Sequence, residues 1–103
     1  MTYKNITVPS TGESITIKNN SLVVPSKPII TYIEGDGIGI DITPVMLDVV
    51  NAAVKKAYND EREIQWMEIF AGEKADSIYG EYLPEETVNA IKEFAVNIKG
   101  PLT

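Results

Sequence analysis

The chain has 103 residues, 44% of them hydrophobic and 23% charged, the composition of one globular domain rather than of a disordered or fibrous polymer. Nine Lys and Arg stand against fifteen Asp and Glu, a formal net charge of −6, so neither nucleic acid nor an anionic membrane is an expected partner. The absence of Cys and His excludes disulfide frameworks, thiol nucleophiles, histidine general bases and Cys/His zinc sites. No stretch approaches the roughly 18 consecutive apolar residues of a membrane span, and the start, Met1 to Asn5, has no apolar run of the signal-peptide kind. A cytoplasmic location is therefore expected.

Residues 1–27 read as a polar lead-in with a weak β pattern. Ile6 and Val8 alternate with polar neighbours, as do Ile15 and Ile17. Asn19-Asn20 lies between Ile15–Lys18 and Leu22–Val24, and Asn tolerates the positive φ of a two-residue hairpin turn. The expectation is an antiparallel hairpin laid against another element.

From Pro28 the pattern changes. Ile29-Ile30-Thr31-Tyr32-Ile33 is a β-branched and aromatic run that predicts a buried strand. It stops at Glu34-Gly35-Asp36-Gly37-Ile38-Gly39, where the glycines demand a loop. Thr43-Pro44 reads as N-cap and first residue of a helix over 44–58, because the N–H that proline lacks has no intrahelical partner there. Its predicted buried stripe is Met46, Val49, Val50, Ala53, Val54 and Ala57, with Asp48, Asn51, Lys55 and Lys56 facing water.

Ile64–Phe70 predicts a second strand with Trp66 and Tyr32 in the core, and a short helix is expected over 72–79, ending near Gly80. Leu83-Pro84-Glu85-Glu86 opens a third helix, its acids placed where the macrodipole favours them, with Val88, Ile91 and Phe94 inward. Ala95–Ile98 is the third strand. Strand, helix, strand, helix, strand in this order implies a right-handed α/β unit on a mostly parallel sheet. Three strands make a thin sheet with an open edge, so residues 28–103 are expected to be the first part of a larger α/β domain.

Chemistry has few candidates. A dinucleotide fingerprint needs G-x-G-x-x-G, and counting from Gly35 the last position is Ile40. Glu34 and Asp36 would also repel a pyrophosphate. The loop is then either a tight strand-to-helix turn or a place where Gly37 and Gly39 let backbone approach a ligand. Lys99, at a strand's carboxyl end before Gly100-Pro101, is either a surface lysine or a carboxylate anchor, and Thr103 offers a hydroxyl at the same edge. Glu81, Glu85 and Glu86 are explained by a solvated helix start before a metal site need be invoked.

Pro28–Pro44 (PIITYIEGDGIGIDITP), Trp66-Met67-Glu68-Ile69, Gly72-Glu73-Lys74 and Ile98-Lys99-Gly100-Pro101-Leu102-Thr103 resemble, in order and near spacing, the opening of the bacterial NADP-dependent isocitrate dehydrogenases. The lead-in 1–27 is similar to the N-terminal β-hairpin extension of that class. GDGIG followed by K-G-P is shared with isopropylmalate, homoisocitrate and tartrate dehydrogenases, so the WMEI and lead-in segments are what favour isocitrate.

The resemblance implies an α/β fold that is not Rossmann, represented here by an incomplete N-terminal piece, 28–103, that stops at the cofactor loop. It implies a homodimeric enzyme that oxidises isocitrate with NADP and decarboxylates the product with Mg²⁺ or Mn²⁺. Carried over by position, the cofactor-contacting threonine falls on Thr103 with Leu102 beside it. The apolar residue near the nicotinamide falls on Ile38, and the substrate-carboxylate lysine on Lys99. The family's substrate-loop serine, carboxylate-clamping arginines, catalytic Tyr and Lys and metal-binding Asp have no counterpart in these residues. The 103-residue chain alone is thus expected to be inactive, with no catalytic or metal residue of its own. A second possibility is a non-enzymatic, partner-binding or subunit-complementing role through the open sheet edge.

Overall fold

The computed structural model describes residues 2–103, so Met1 of the lead-in lies outside the described residues. Its elements run β1 (Glu13–Ser14), β2 (Thr16–Lys18), β3 (Ser21–Val23), β4 (Pro28–Ile33), α1 (Gly39–Tyr58), β5 (Gln65–Ile69), α2 (Glu73–Tyr79), α3 (Glu85–Phe94) and β6 (Asn97–Lys99). The main sheet is parallel throughout and built around β4. Strand β5 pairs along Ile29–Ile33, while β1 pairs with Pro28 and Ile29 and β6 with Thr31–Ile33. The lead-in thus contributes a fourth, two-residue strand that the alternation of Ile15 and Ile17 did not indicate.

Strand alternation divides β4 into two unequal faces. Ile29, Thr31 and Ile33 are buried, whereas Ile30 and Tyr32 are half-buried. The buried set joins Met67 and Ile69 of β5, Ala90 and Phe94 of α3, and Ile6 of the lead-in in one core. Helix α3 seats itself through Thr87, Ala90 and Phe94, with Ile91 partly buried. Thr87, rather than the predicted Val88, turns inward because its hydroxyl donates to the Phe70 carbonyl at 2.5 Å, which satisfies a polar atom in the core. In the same interior the Thr31 hydroxyl donates to the Asn97 side-chain oxygen, pinning β6 to β4.

Several expectations about α1 and its surroundings need correction. Helix α1 begins at Gly39, directly out of the glycine loop, and Ile38 is its N-cap. Thr43 is already inside the helix, because its hydroxyl donates backwards to the Glu34 carbonyl at 2.8 Å instead of capping. The predicted stripe of α1 is not buried: Val49 is 61% exposed, and only Gly39 and Thr43 are buried along the whole helix. Trp66 and Tyr32 are half-buried, stacked edge to face at 6.0 Å, with the Trp66 indole N–H donating to Asn51 of α1 at 2.8 Å.

The hairpin forms as expected, with β2 antiparallel to β3 and Asn19 and Asn20 at φ 53° and 64°. It is not laid against another element, however. All six of its strand residues are exposed, Ile17 by 68%. The last strand is shifted to Asn97–Lys99, because Ala95 takes a positive φ of 61° in ending α3.

Candidate functional site

At the carboxyl ends of β4 and β6 two loops are stitched together. The Gly100 N–H donates to the Ile33 carbonyl at 2.8 Å, and the Asp36 N–H donates to the Pro101 carbonyl at 2.7 Å. This closeness is what the glycines supply. A Cβ on Gly35, whose φ is +91°, would lie 2.7 Å from the Pro101 oxygen.

Asp36 is the centre of this junction. It is buried, and its Oδ1 accepts from the Glu73 N–H at 2.9 Å. Its Oδ2 accepts from both the Thr103 N–H at 3.2 Å and the Thr103 hydroxyl at 3.1 Å. Hydrogen bonds from the Glu73 and Thr103 main chain hold the carboxyl below its ordinary range. Gly72, at φ +79°, lets the carboxylate approach, since a Cβ there would sit 2.7 Å from both Asp36 oxygens. One carboxylate therefore ties together the glycine loop, the start of α2 and the 100–103 segment. Sequence reasoning read Asp36 only as a charge that repels phosphate. The usable signal was the pairing of a loop Asp with a distant Gly-Glu opening a helix.

The second acid of the loop is also neutralised internally. Lys74 reaches Glu34 at 3.3 Å and Glu68 at 2.5 Å. Burial alone would lower the Lys74 pKa, but these two carboxylates outweigh it and raise it.

The four residues singled out in sequence lie around this junction, but on different footings. Ile38 caps α1 and is 63% exposed. Leu102 is 38% exposed and close to Gly72, and Thr103 is exposed apart from its bonds to Asp36. The Lys99 amine donates to the Gly100 carbonyl at 2.9 Å and belongs to a cleft shared with Ile33, Ile42, Met46, Ile98 and Pro101. The metal reading of Glu81, Glu85 and Glu86 gains nothing: no group of three His, Cys, Asp or Glu that could hold a metal ion occurs among the described residues. Nor is Glu86 merely a solvated acid at a helix start. It accepts from the Tyr79 hydroxyl at 2.5 Å and from the Lys4 and Asn5 N–H groups. Burial works to raise its pKa, and these bonds outweigh burial and lower it.

The carboxyl ends of β4 and β6 form an edge of mixed chemistry. It offers an exposed apolar side chain, Ile38, an exposed hydroxyl, Thr103, and closely packed backbone, with both loop acids consumed internally. Lys74 is committed to two carboxylates, and Lys99 is the cation of the segment 98–103.

No helix among the described residues is long and apolar enough to cross a membrane. Residues 29–103 match the family model described as isocitrate/isopropylmalate dehydrogenase. The whole chain is 61% identical to the isocitrate dehydrogenase [NADP] of Coxiella burnetii, covering 25% of that protein. It is 57% identical to that of Pseudomonas aeruginosa, again covering 25%. It is 48% identical to that of Archaeoglobus fulgidus, covering 24%. The chain spans about a quarter of the length of these curated relatives. A family match over three strands and three helices, together with identity along the full chain, places this protein in the isocitrate/isopropylmalate dehydrogenase family.

Proposed function

We propose that this chain serves as the N-terminal quarter of an NADP-dependent isocitrate dehydrogenase, in which residues 1–27 are a hairpin extension and 28–103 begin the large α/β domain. The observation that carries this reading is full-chain identity of 61% to a relative bearing that name. The isopropylmalate alternative is less well supported, since the relatives compared above are all named for isocitrate.

In this role Thr103, Leu102 and Ile38 contact the nicotinamide half of the cofactor, and Lys99 faces a carboxylate of isocitrate. NADP, when bound, supplies the acceptor for the hydride removed from the substrate's 2-hydroxyl carbon. The present residues contribute binding and orientation, and the hydrogen bonds of Asp36 hold the two loops in one geometry before ligand arrives. Mg²⁺ or Mn²⁺ would need ligands from other residues, because no suitable cluster occurs among those described here. A cytoplasmic homodimer is the corresponding cellular form.

The exposed apolar residues of α1, including Ile42, Val45 and Val49, support a segment that works against further protein. The test is isocitrate-dependent NADPH formation by the whole protein, with isopropylmalate and NAD as competitors for substrate and cofactor. Robust turnover with isocitrate and NADP, and none from the 103-residue chain alone, is the expected result. Preference for isopropylmalate, or turnover by the isolated chain, would overturn the reading.

A further inference from the structure

Carried one residue past β4, strand alternation places Glu34 on the same sheet face as Tyr32. Glu68 of β5 lies opposite Tyr32 in the register, so Glu34 and Glu68 are diagonal neighbours of like charge. Lys74, the second residue of α2, reconciles them: its amine donates to Glu68 at 2.5 Å and to Glu34 at 3.3 Å. The same amine lies 5.6 Å from the centre of the Phe70 ring, a cation-π contact that holds it over the sheet. All three charged side chains are partly buried, so the repulsion that Lys74 cancels is screened less than in open water.

Glu34 is also where the glycine loop begins. Its carbonyl accepts from the Thr43 hydroxyl in α1 at 2.8 Å, while the Ile33 carbonyl before it accepts from the Gly100 N–H at 2.8 Å. A Cβ on Gly39 or on Gly100 would collide with the Glu34 carbonyl, so the main chain here is closely surrounded. Moving Glu34 therefore moves the loop and the origin of α1 with it.

We propose that Lys74 is a positioning residue for the cofactor: by holding Glu34 beside Glu68 it sets the path of residues 35–39, where backbone and Ile38 meet the nicotinamide half. The inference rests on the cofactor reading given above and adds to it a residue that acts without touching the ligand. Without the amine, two unshielded carboxylates push Glu34 away from Glu68. The loop then leaves the shape that the bonds of Asp36 to Glu73 and Pro101 hold on its other side.

The test is calorimetric titration of the whole protein with NADP, because misfolded material lowers the stoichiometry and leaves the dissociation constant unchanged. Lys74→Met is expected to raise that constant about five-fold, the upper end for a partly exposed ion pair. Lys74→Arg, whose guanidinium fork can bridge both carboxylates, should stay within about two-fold of wild type. The decisive variant combines Lys74→Met with Glu68→Gln. It removes the like charge together with the amine, and should return affinity to within about two-fold of wild type. An unchanged constant in Lys74→Met, or a loss that Glu68→Gln does not relieve, overturns the inference and leaves the cofactor reading intact. Should Lys74→Met yield no folded protein, Lys74→Gln takes its place. A rise of about two-fold or more that Glu68→Gln relieves then supports the positioning role, and no rise overturns it. Wild-type protein that binds no NADP overturns the cofactor reading and this inference with it.

Discussion

Helices α1 and α3 make opposite use of similar material. Helix α3 has ten residues and buries Thr87, Ala90 and Phe94 against the sheet. Helix α1 has twenty and buries only Gly39 and Thr43, both near its start. The longer helix is the more apolar of the two, yet Ile42, Val45 and Val49 are exposed by 47%, 59% and 61%. An apolar stripe records which face is suited to burial, and tertiary structure decides how much of that face this chain covers. What anchors α1 is its first turn, where the glycine loop and the Thr43 bond to Glu34 fix its origin.

The sharpest way to break this comparison is to truncate each helix. Phe94→Ala, in a side chain only 2% exposed, is expected to cost about 3–5 kcal/mol in chemical denaturation. Val49→Ala should change stability by about 0.5 kcal/mol or less. Equal losses would show that α1 is as firmly embedded as α3.

A smaller effect is expected at the junction that joins α1's origin to α2. Gly72→Ala places a side chain at a φ of +79° against the Asp36 carboxylate, and should cost about 1–3 kcal/mol in the same assay. A neutral outcome would mean that the junction relaxes freely and does not fix the loops.

Acid titration sharpens the picture by asking which anchors are charged. Asp36 and Glu86 both have pKa values below their unfolded ones, so each contributes stability that is complete above the unfolded value, near 4, and lost as pH falls through the folded value. The melting temperature should therefore hold steady between about pH 6 and 8 and drop below about pH 4. Asp36→Asn and Glu86→Gln should each make that drop shallower. A drop of unchanged steepness in both variants would assign acid sensitivity elsewhere.

The smallest effect concerns the hairpin, whose strands are wholly exposed. Asn20→Gly relieves a φ of 64° and should leave global stability within a few tenths of a kcal/mol. A large change would show that the hairpin is coupled to the core.

These contrasts also explain what could be read from the residues alone. The order of strands and helices was legible, because β-branched runs, glycine breaks and the Pro84-Glu85-Glu86 helix start are local signals. The Asn19-Asn20 turn was legible for the same reason. Burial was less so. The Thr87 bond to Phe70, which turns α3 by its polar residue, depends on a carbonyl seventeen positions earlier. Thr43 looked like a cap because its sequence neighbours suit one, while its actual partner is the carbonyl of Glu34. At the site, Lys99 and Thr103 stood out by their place at a strand's carboxyl end, while their roles, and Leu102 and Ile38, came from family likeness. The role of Asp36 needed three dimensions, since Glu73 and Thr103 lie 37 and 67 residues away from it.

The most direct test of the account is hydrogen exchange, followed by mass spectrometry, on the whole protein with and without NADP. Within residues 1–103 slowed exchange is expected only in peptides covering 34–39 and 100–103, with the outer face of α1 unaffected by cofactor. Protection that spares both loops while NADP is bound would contradict it.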